Sequence, residues 1–189
     1  EIKKGGELVS TKLEDYDLFS NKLSDDILIA TRVNGYDIEP GADLSGADLR
    51  NANISGLTYK ADLSGADLSD AKLQDAILRY ADLTGADLSG ANLSRANLQD
   101  AIMNDADLTG ANFSDANLII AEFNRADLSG ADLSALSLVR SNLVDADLSG
   151  ADLSDADFHH TNVSGADLSG ANLQGTNLIG ADLSGANLS

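Results

Sequence analysis

The sequence predicts an all-β solenoid, in which one short unit is wound repeatedly about an axis. Three observations predict it. A large apolar residue falls at every fifth position from Leu63 to Leu188 without a miss. The residue two places before it is Ala in most units, with Leu136, Ser141, Thr161 and Thr176 as replacements. The fifth residue is Gly or Asp in most units, and both tolerate tight turns. A period of five fits neither the helical period of about 3.6 nor the strand period of about two.

Residues 1–40 differ from the rest of the chain. Glu1-Ile2-Lys3-Lys4-Gly5-Gly6 is polar, and a start at Glu1 rather than Met reads as a processed chain or a fragment. That leaves room for a removed signal segment. Leu8, Leu13, Leu18, Leu23, Leu28, Val33 and Ile38 then stand five apart. Their companions two places earlier, from Gly6 and Thr11 to Thr31 and Tyr36, are not the small residue of later units. Two readings stay open: degenerate coils of the same repeat, or a separate cap with its own strands or a short helix around Asp25 to Arg32. The expected division is 1–40 and 41–189.

Pro40-Gly41 is a break signal, and the phase shifts there by one residue, from Ile38 to Leu44. Good units come next at Ala42-Asp43-Leu44, Ala47-Asp48-Leu49 and Ala52-Asn53-Ile54. Gly56-Leu57-Thr58-Tyr59-Lys60 then disturbs the pattern. Tyr59 holds phase but Leu63 comes one residue early, which reads as a local bulge or a tightened corner.

From Ala61 the units are unbroken. Residues two apart in an extended segment point the same way, so Ala and Leu point together and the Asp or Asn between them points opposite. Each unit makes a short side and a corner. Corners that all bend one way coil the chain with Leu and Ala inside. Stacked coils then pair backbone groups at about 4.8 Å per coil.

A weaker period of 20 overlies the fives. The last two residues of every fourth unit are mostly large: Arg79-Tyr80, Gln99-Asp100, Ile119-Ile120, Val139-Arg140, His159-His160 and Ile179-Gly180. Units beginning at Ala66, Ala86, Ala106, Ala126, Ala146 and Ala166 read Ala-Asp-Leu-Ser/Thr-Gly almost throughout. Four units per coil would produce this modulation, giving a rod of roughly 30 Å from Ala61 onward. Phe113, Phe123 and Phe158 need extra interior room, and Leu136 at a normally small position predicts a local widening.

Ala-(Asp/Asn)-Leu-X-X over residues 42–56 and 61–189 resembles the pentapeptide repeat family, and the match covers over two thirds of the chain. The resemblance implies a right-handed quadrilateral parallel β-helix with four pentapeptides per coil. It supplies the handedness; the period does not.

Charge and composition narrow the function. A net charge of -19 argues against direct nucleic-acid binding, which needs Lys and Arg on phosphates, and makes a basic protein the expected charged partner. The absence of cysteine excludes disulfides, thiolate metal sites and a Cys nucleophile. No apolar run approaches the roughly 18–20 residues of a membrane span. No His-Ser-Asp grouping, phosphate loop or metal motif rises above the repeat. A rod with a filled core has no natural cleft. The expectation is a non-enzymatic scaffold with no cofactor.

Three places could bind. The first is an acidic side carrying Asp67, Asp87, Asp107, Asp127, Asp147 and Asp167, then Asn187, with no Lys or Arg. The plainer account is that these side chains bond backbone N–H groups at the corners and keep the rod soluble. Calcium-binding β-roll repeats, with their nine-residue Gly-Gly-x-Gly-x-Asp units, are absent. The second is the bulkier side, with Tyr80, Ile119, Ile120, Val139 and Ile179, suited to a partner or a second copy of the chain. The third is the last coil, where Leu183 and Leu188 point to end-to-end association. His159 and His160, adjacent at a corner, are expected to point apart and lack a third ligand, so surface decoration outweighs a metal site.

An alternative function is modulation of a DNA-handling enzyme. Some members of the pentapeptide repeat family resist gyrase-targeting agents by resembling DNA in shape and charge. Those members pair through an apolar C-terminal helix, whereas this sequence stops within a repeat at Ser189. The acidic residues here also favour one side over the whole surface.

Overall fold

Each unit becomes one side and one corner of a coil. In the computed structural model, the second residue of a unit bridges in parallel to the residue 20 positions on, from Asp62 opposite Asp82 to Asp167 opposite Asn187. Five residues per side and 20 per coil make the rod four-sided. The structure describes residues 2–4, 7–9, 31–39, 41–52, 54 and 61–189.

Bonds along the axis satisfy the backbone. Around Asp87, Leu68 N donates to Asp87 O at 2.6 Å and Asp87 N donates to Ala66 O at 2.9 Å. The corner closes with a bond from Ala66 N to Leu63 O at 3.0 Å. The third residue of that turn, Gly65, has φ of 64°, as a type II turn requires. Every corner residue from Gly65 to Gly185 is left-handed, whatever its type. Gly130 takes up φ of 65° freely, while Ile120 holds φ of 60° with a β-branched side chain that resists it.

The interior is a stack of Leu and Ala. Leu63, Leu83, Leu98 and Leu128 are fully buried, as is Phe123, and burying each such chain contributes about 1.5–3 kcal/mol. Where Ser141 and Thr161 replace Ala, their buried hydroxyls donate to Leu118 O at 2.7 Å and Leu138 O at 2.6 Å. The substitution is tolerated because each carbonyl oxygen offers a second lone pair.

One seam departs from the ladder. Among the described residues, Gly110, Phe113, Asp115 and Leu118 lack the N–H bond to the next coil that equivalent residues make elsewhere, and Asp132 and Ser137 lack the bond back. Asn112 still lies opposite Asp132, so the register holds. Phe113 lies in one coil of this seam and Leu136 in the other, and both are larger than the Leu or Ala of most units at their positions. Bonds from the coil of Leu136 to the next coil are kept, as from Leu138 N to Asp157 O at 2.8 Å, so the break lies on one face of the coil where widening was expected. It opens a shallow cleft of about 300 Å³ bordered by Gly110, Ala111, Asn112 and Asp132.

The earlier residues join this rod with a different count. Asp43 lies opposite Asp67 and Asp48 opposite Lys72, a separation of 24. The first coil therefore holds four residues more than a coil of 20, so of the two readings of the disturbed unit the local bulge fits and the tightened corner does not. A unit of five less one and a coil of 20 plus four shift the phase identically, so spacing alone misleads. The path of 55–60 lies outside the described residues.

Two antiparallel hairpins precede the coils. β1 (Ile2–Lys4) pairs with β2 (Glu7–Val9), and β3 (Thr31–Val33) pairs with β4 (Tyr36–Ile38). Asn34 and Gly35, both at positive φ, form the tight turn of the second hairpin. Ile38 is buried in the core shared with the coils. Asn34 Nδ2 donates to Asp48 O, and Asp48 N donates to the Tyr36 hydroxyl, both at 3.4 Å. A short helix around Asp25 to Arg32 is not seen at its end, where Thr31–Val33 is strand; residues 25–30 lie outside the described residues.

Candidate functional site

The units beginning at Ala66 and those beginning at Ala76 are two sides apart, so they form opposite sides of the rod. The first is acidic. Bridges place Asp43, Asp67, Asp87, Asp107, Asp127, Asp147, Asp167 and Asn187 one above another in an unbroken column. No Lys or Arg interrupts these units.

Each carboxylate is also tied into its own corner. Asp67 Oδ1 accepts from Ser69 N at 3.0 Å and from the Ser69 hydroxyl at 2.6 Å. Asp87 repeats the pair with Ser89, and Asp107 with Thr109. Asp127, Asp147 and Asp167 accept from the backbone N–H of Ser129, Ser149 and Ser169 at 2.9 Å. These are the corner bonds of the plainer account, and they coexist with the column. The Ser69 hydroxyl and then its N–H hold the Asp67 carboxyl below the usual range. For Asp167 the Ser169 N–H leads, with the hydroxyl second.

The opposite side is bulky. Among the described residues, five large hydrophobics are exposed, and four of them lie here: Ile77 (39 %), Tyr80 (38 %), Ile120 (42 %) and Ile179 (68 %). Ile119 and Val139 are half-buried beside them. Ile77 was not among the residues expected from sequence. Its signal was an apolar residue at the outward second position, where most units carry Asp or Asn.

This side is also electrically neutral: Arg79 and Arg140 offset Asp100 and Asp157. Arg79 Nη2 bonds the Tyr80 hydroxyl at 2.9 Å, its guanidinium lies 4.9 Å from the Tyr80 ring centre, and it reaches Asp100 at 3.8 Å. Among the described residues, Arg140 finds no side-chain partner. Its neighbours in the corner column are Ile120 and His160. Elsewhere a corner arginine sits above an aspartate, as Arg95 does on Asp75 at 2.7 Å and Arg125 on Asp105 at 2.6 Å. The guanidinium bonds hold Asp75 and Asp105 below the usual carboxylate range. His159 and His160 do not point apart: their rings meet with centres 4.1 Å apart, tilted by 55°. Left-handed geometry at residue 160 turns its ring back toward residue 159.

In the last coil, Leu173, Leu178 and Leu183 are only partly buried, and Leu188 is 56 % exposed. Among the described residues no helix is long and apolar enough to cross a membrane.

The family model for pentapeptide repeats matches this chain in eight copies, over residues 40–57, 59–90, 91–130, 121–159 and 151–189. The chain belongs to the pentapeptide repeat proteins, and its rod is a right-handed quadrilateral β-helix. It is similar to HetL, a pentapeptide repeat protein involved in heterocyst differentiation regulation from the cyanobacterium Nostoc sp. strain PCC 7120. Identity is 31%, covering 80% of this chain and 89% of HetL, with a TM-score of 0.38. Full-length QnrB1, a plasmid-mediated fluoroquinolone resistance protein, is 24% identical over 80% of this chain and 79% of its own, with a TM-score of 0.41. Rfr23 from the cyanobacterium Cyanothece 51142 is 25% identical over 80% and 91%, with a TM-score of 0.31. A comparison with curated proteins finds no match.

Proposed function

We propose that this protein is a non-enzymatic scaffold whose acidic side docks a basic protein surface. The observation that supports it is the unbroken column from Asp43 to Asp167. Two unit charges at the coil spacing of about 4.8 Å repel by about 1 kcal/mol even in water. A column that bears this cost at every step, with no cation set into it, suits a partner that supplies the cations. Corner bonding explains an acceptor at each second position, but Asn provides the same acceptor without charge, as Asn92 does for Ser94 N at 3.1 Å. The corner bond by itself therefore does not require a charge on this side.

A lysine-rich peptide is the probe for a binding assay. Replacing Asp87, Asp107, Asp127 and Asp147 together by Asn is expected to weaken its binding at least tenfold at low salt. A variant with Asp132, Asp152, Asp157 and Asp182 replaced by Asn should bind within about threefold of the parent. Equal losses would show that only the net charge matters and remove the acidic side as a site. Altered DNA supercoiling by purified gyrase at micromolar protein would instead support the DNA-mimic alternative. The neutral bulky side weighs against that alternative, because DNA carries its charge along both strands.

A further inference from the structure

We infer that the bulky side is a homodimer interface, in which two copies of this chain pack antiparallel about a two-fold axis through the coil of Ile119 and Ile120. The inference does not rest on the acidic docking site. Three observations carry it: the neutrality of this side, the order of charges along it, and the backbone at Ile120.

The rod carries -19, so two copies repel through most of their surface. The bulky side is where that repulsion vanishes and apolar surface is exposed. A two-fold axis lying in the interface across the rods preserves each column and inverts its order. The corner column reads Tyr80, Asp100, Ile120, Arg140, His160. Inverted about Ile120, it sets Asp100 of one copy against Arg140 of the other, twice. Tyr80 then meets His160, and Ile120 meets its own symmetry mate. The neighbouring column, Arg79, Gln99, Ile119, Val139, His159, centres on Ile119 in the same way.

The alternative registers lose this pairing. Parallel packing needs an axis along the rods, which keeps each coil at its level but swaps the two edges of the side, so the corner column no longer meets itself and Asp100 does not face Arg140. An axis through the coil of residue 100 or of residue 140 brings a like pair to its centre. Of the axes that pass through a coil, the one at Ile120 sets Asp100 against Arg140 and puts apolar residues in the middle, while an axis midway between two coils leaves those two charges unopposed. Arg140 has no partner among the described residues of the single chain, although the other corner arginines with φ near 57–59°, Arg95 and Arg125, each have one. Ile120 is a β-branched residue kept left-handed and 42 % exposed at a position that Gly fills on the acidic side. Strain retained on an exposed residue is explained by what that residue contacts.

Sedimentation of the full chain over a wide concentration range tests this. One side of a rod is a small interface, so dimer is expected at high micromolar rather than nanomolar protein. Arg140→Asp and Asp100→Arg should each weaken dimerisation at least tenfold, and the double variant Asp100→Arg/Arg140→Asp should return to within about threefold of the parent. Ile120→Gly should weaken dimerisation while raising the melting temperature, which separates lost contact from lost fold. A parent that stays monomeric to millimolar concentration overturns the inference. So does a dimer indifferent to all four variants, which would place association at the last coil. A double variant as weak as either single one would remove the Asp100–Arg140 pairing and with it the proposed axis.

Discussion

The acidic and bulky sides share one interior and differ chiefly in what they turn outward. Behind the column of Asp87, Asp107 and Asp127 stand Leu88, Leu108 and Leu128; behind Tyr80 and Ile120 stand Leu78 and Leu118, and all five are fully buried. The same turns and a Leu–Ala stack, with Leu136, Phe158 and Thr176 as replacements on the bulky side, support a run of carboxylates on one side and a neutral apolar strip on the other. The fold constrains two residues in five to point inward and leaves the outward ones free. Opposite chemistry is therefore compatible with one scaffold.

The largest effect tests the shared interior. Leu88→Ala on the acidic side and Leu98→Ala on the bulky side are each expected to cost about 2–5 kcal/mol in urea unfolding. A gap between the two larger than about 1.5 kcal/mol would break the picture of one core serving both sides.

The next effect is at the corners. Ile120→Gly should gain about 1 kcal/mol and Gly130→Ala should lose about as much, because one change removes and the other adds a Cβ in left-handed backbone. An added Cβ at Gly130 meets no atom within 4 Å, so a loss there reports strain and not a clash. Melting temperatures that move in the same direction for both variants would show that side-chain contacts, not φ, dominate the corners.

The smallest effect separates bond from charge on the acidic side. Asp127→Ala removes the acceptor for Ser129 N and should cost about 0.5–1.5 kcal/mol, while Asp127→Asn keeps it and should change stability little. Acid gives the matching pH dependence. Carboxyls held low by the fold, Asp67 and Asp167 here and Asp48 at about 2 beside Arg50, contribute stability above the ordinary value of 3.8. That contribution is lost as pH falls through the folded value, so the melting temperature should drop from pH about 4 toward 2. Arg50→Gln should flatten the Asp48 share. A melting temperature that climbs throughout that range would mean that relief of repulsion in the column outweighs its hydrogen bonds.

Much of the molecule was legible in the residues. Leu63 to Leu188 at five-residue spacing located the core, and the 20-residue modulation separated the acidic from the bulky side. Leu136 marked one of the two coils that meet at the seam. What escaped were features that depend on two distant residues at once. The seam lies between the coil of Phe113 and that of Leu136, and neither residue alone locates it. The 24-residue first coil is invisible to spacing, because four residues gained and one lost give one phase. The ring contact of His159 and His160 comes from a backbone angle, and Arg140 is recognised as unpaired among the described residues only when its axial neighbours are known.

The sequence by itself determined the unit, the inward and outward residues, and the sign of each side. Those are local properties: a side chain two residues from another points the same way, and an Asp is an anion wherever it sits. Only the tertiary structure decided which unit lies above which, and so that Asp75 holds Arg95, that Asp105 holds Arg125 and that no described residue holds Arg140. Axial neighbours are 20 residues apart in most coils and 24 in the first. That count is set by how the chain closes around a filled core, and no single unit contains it.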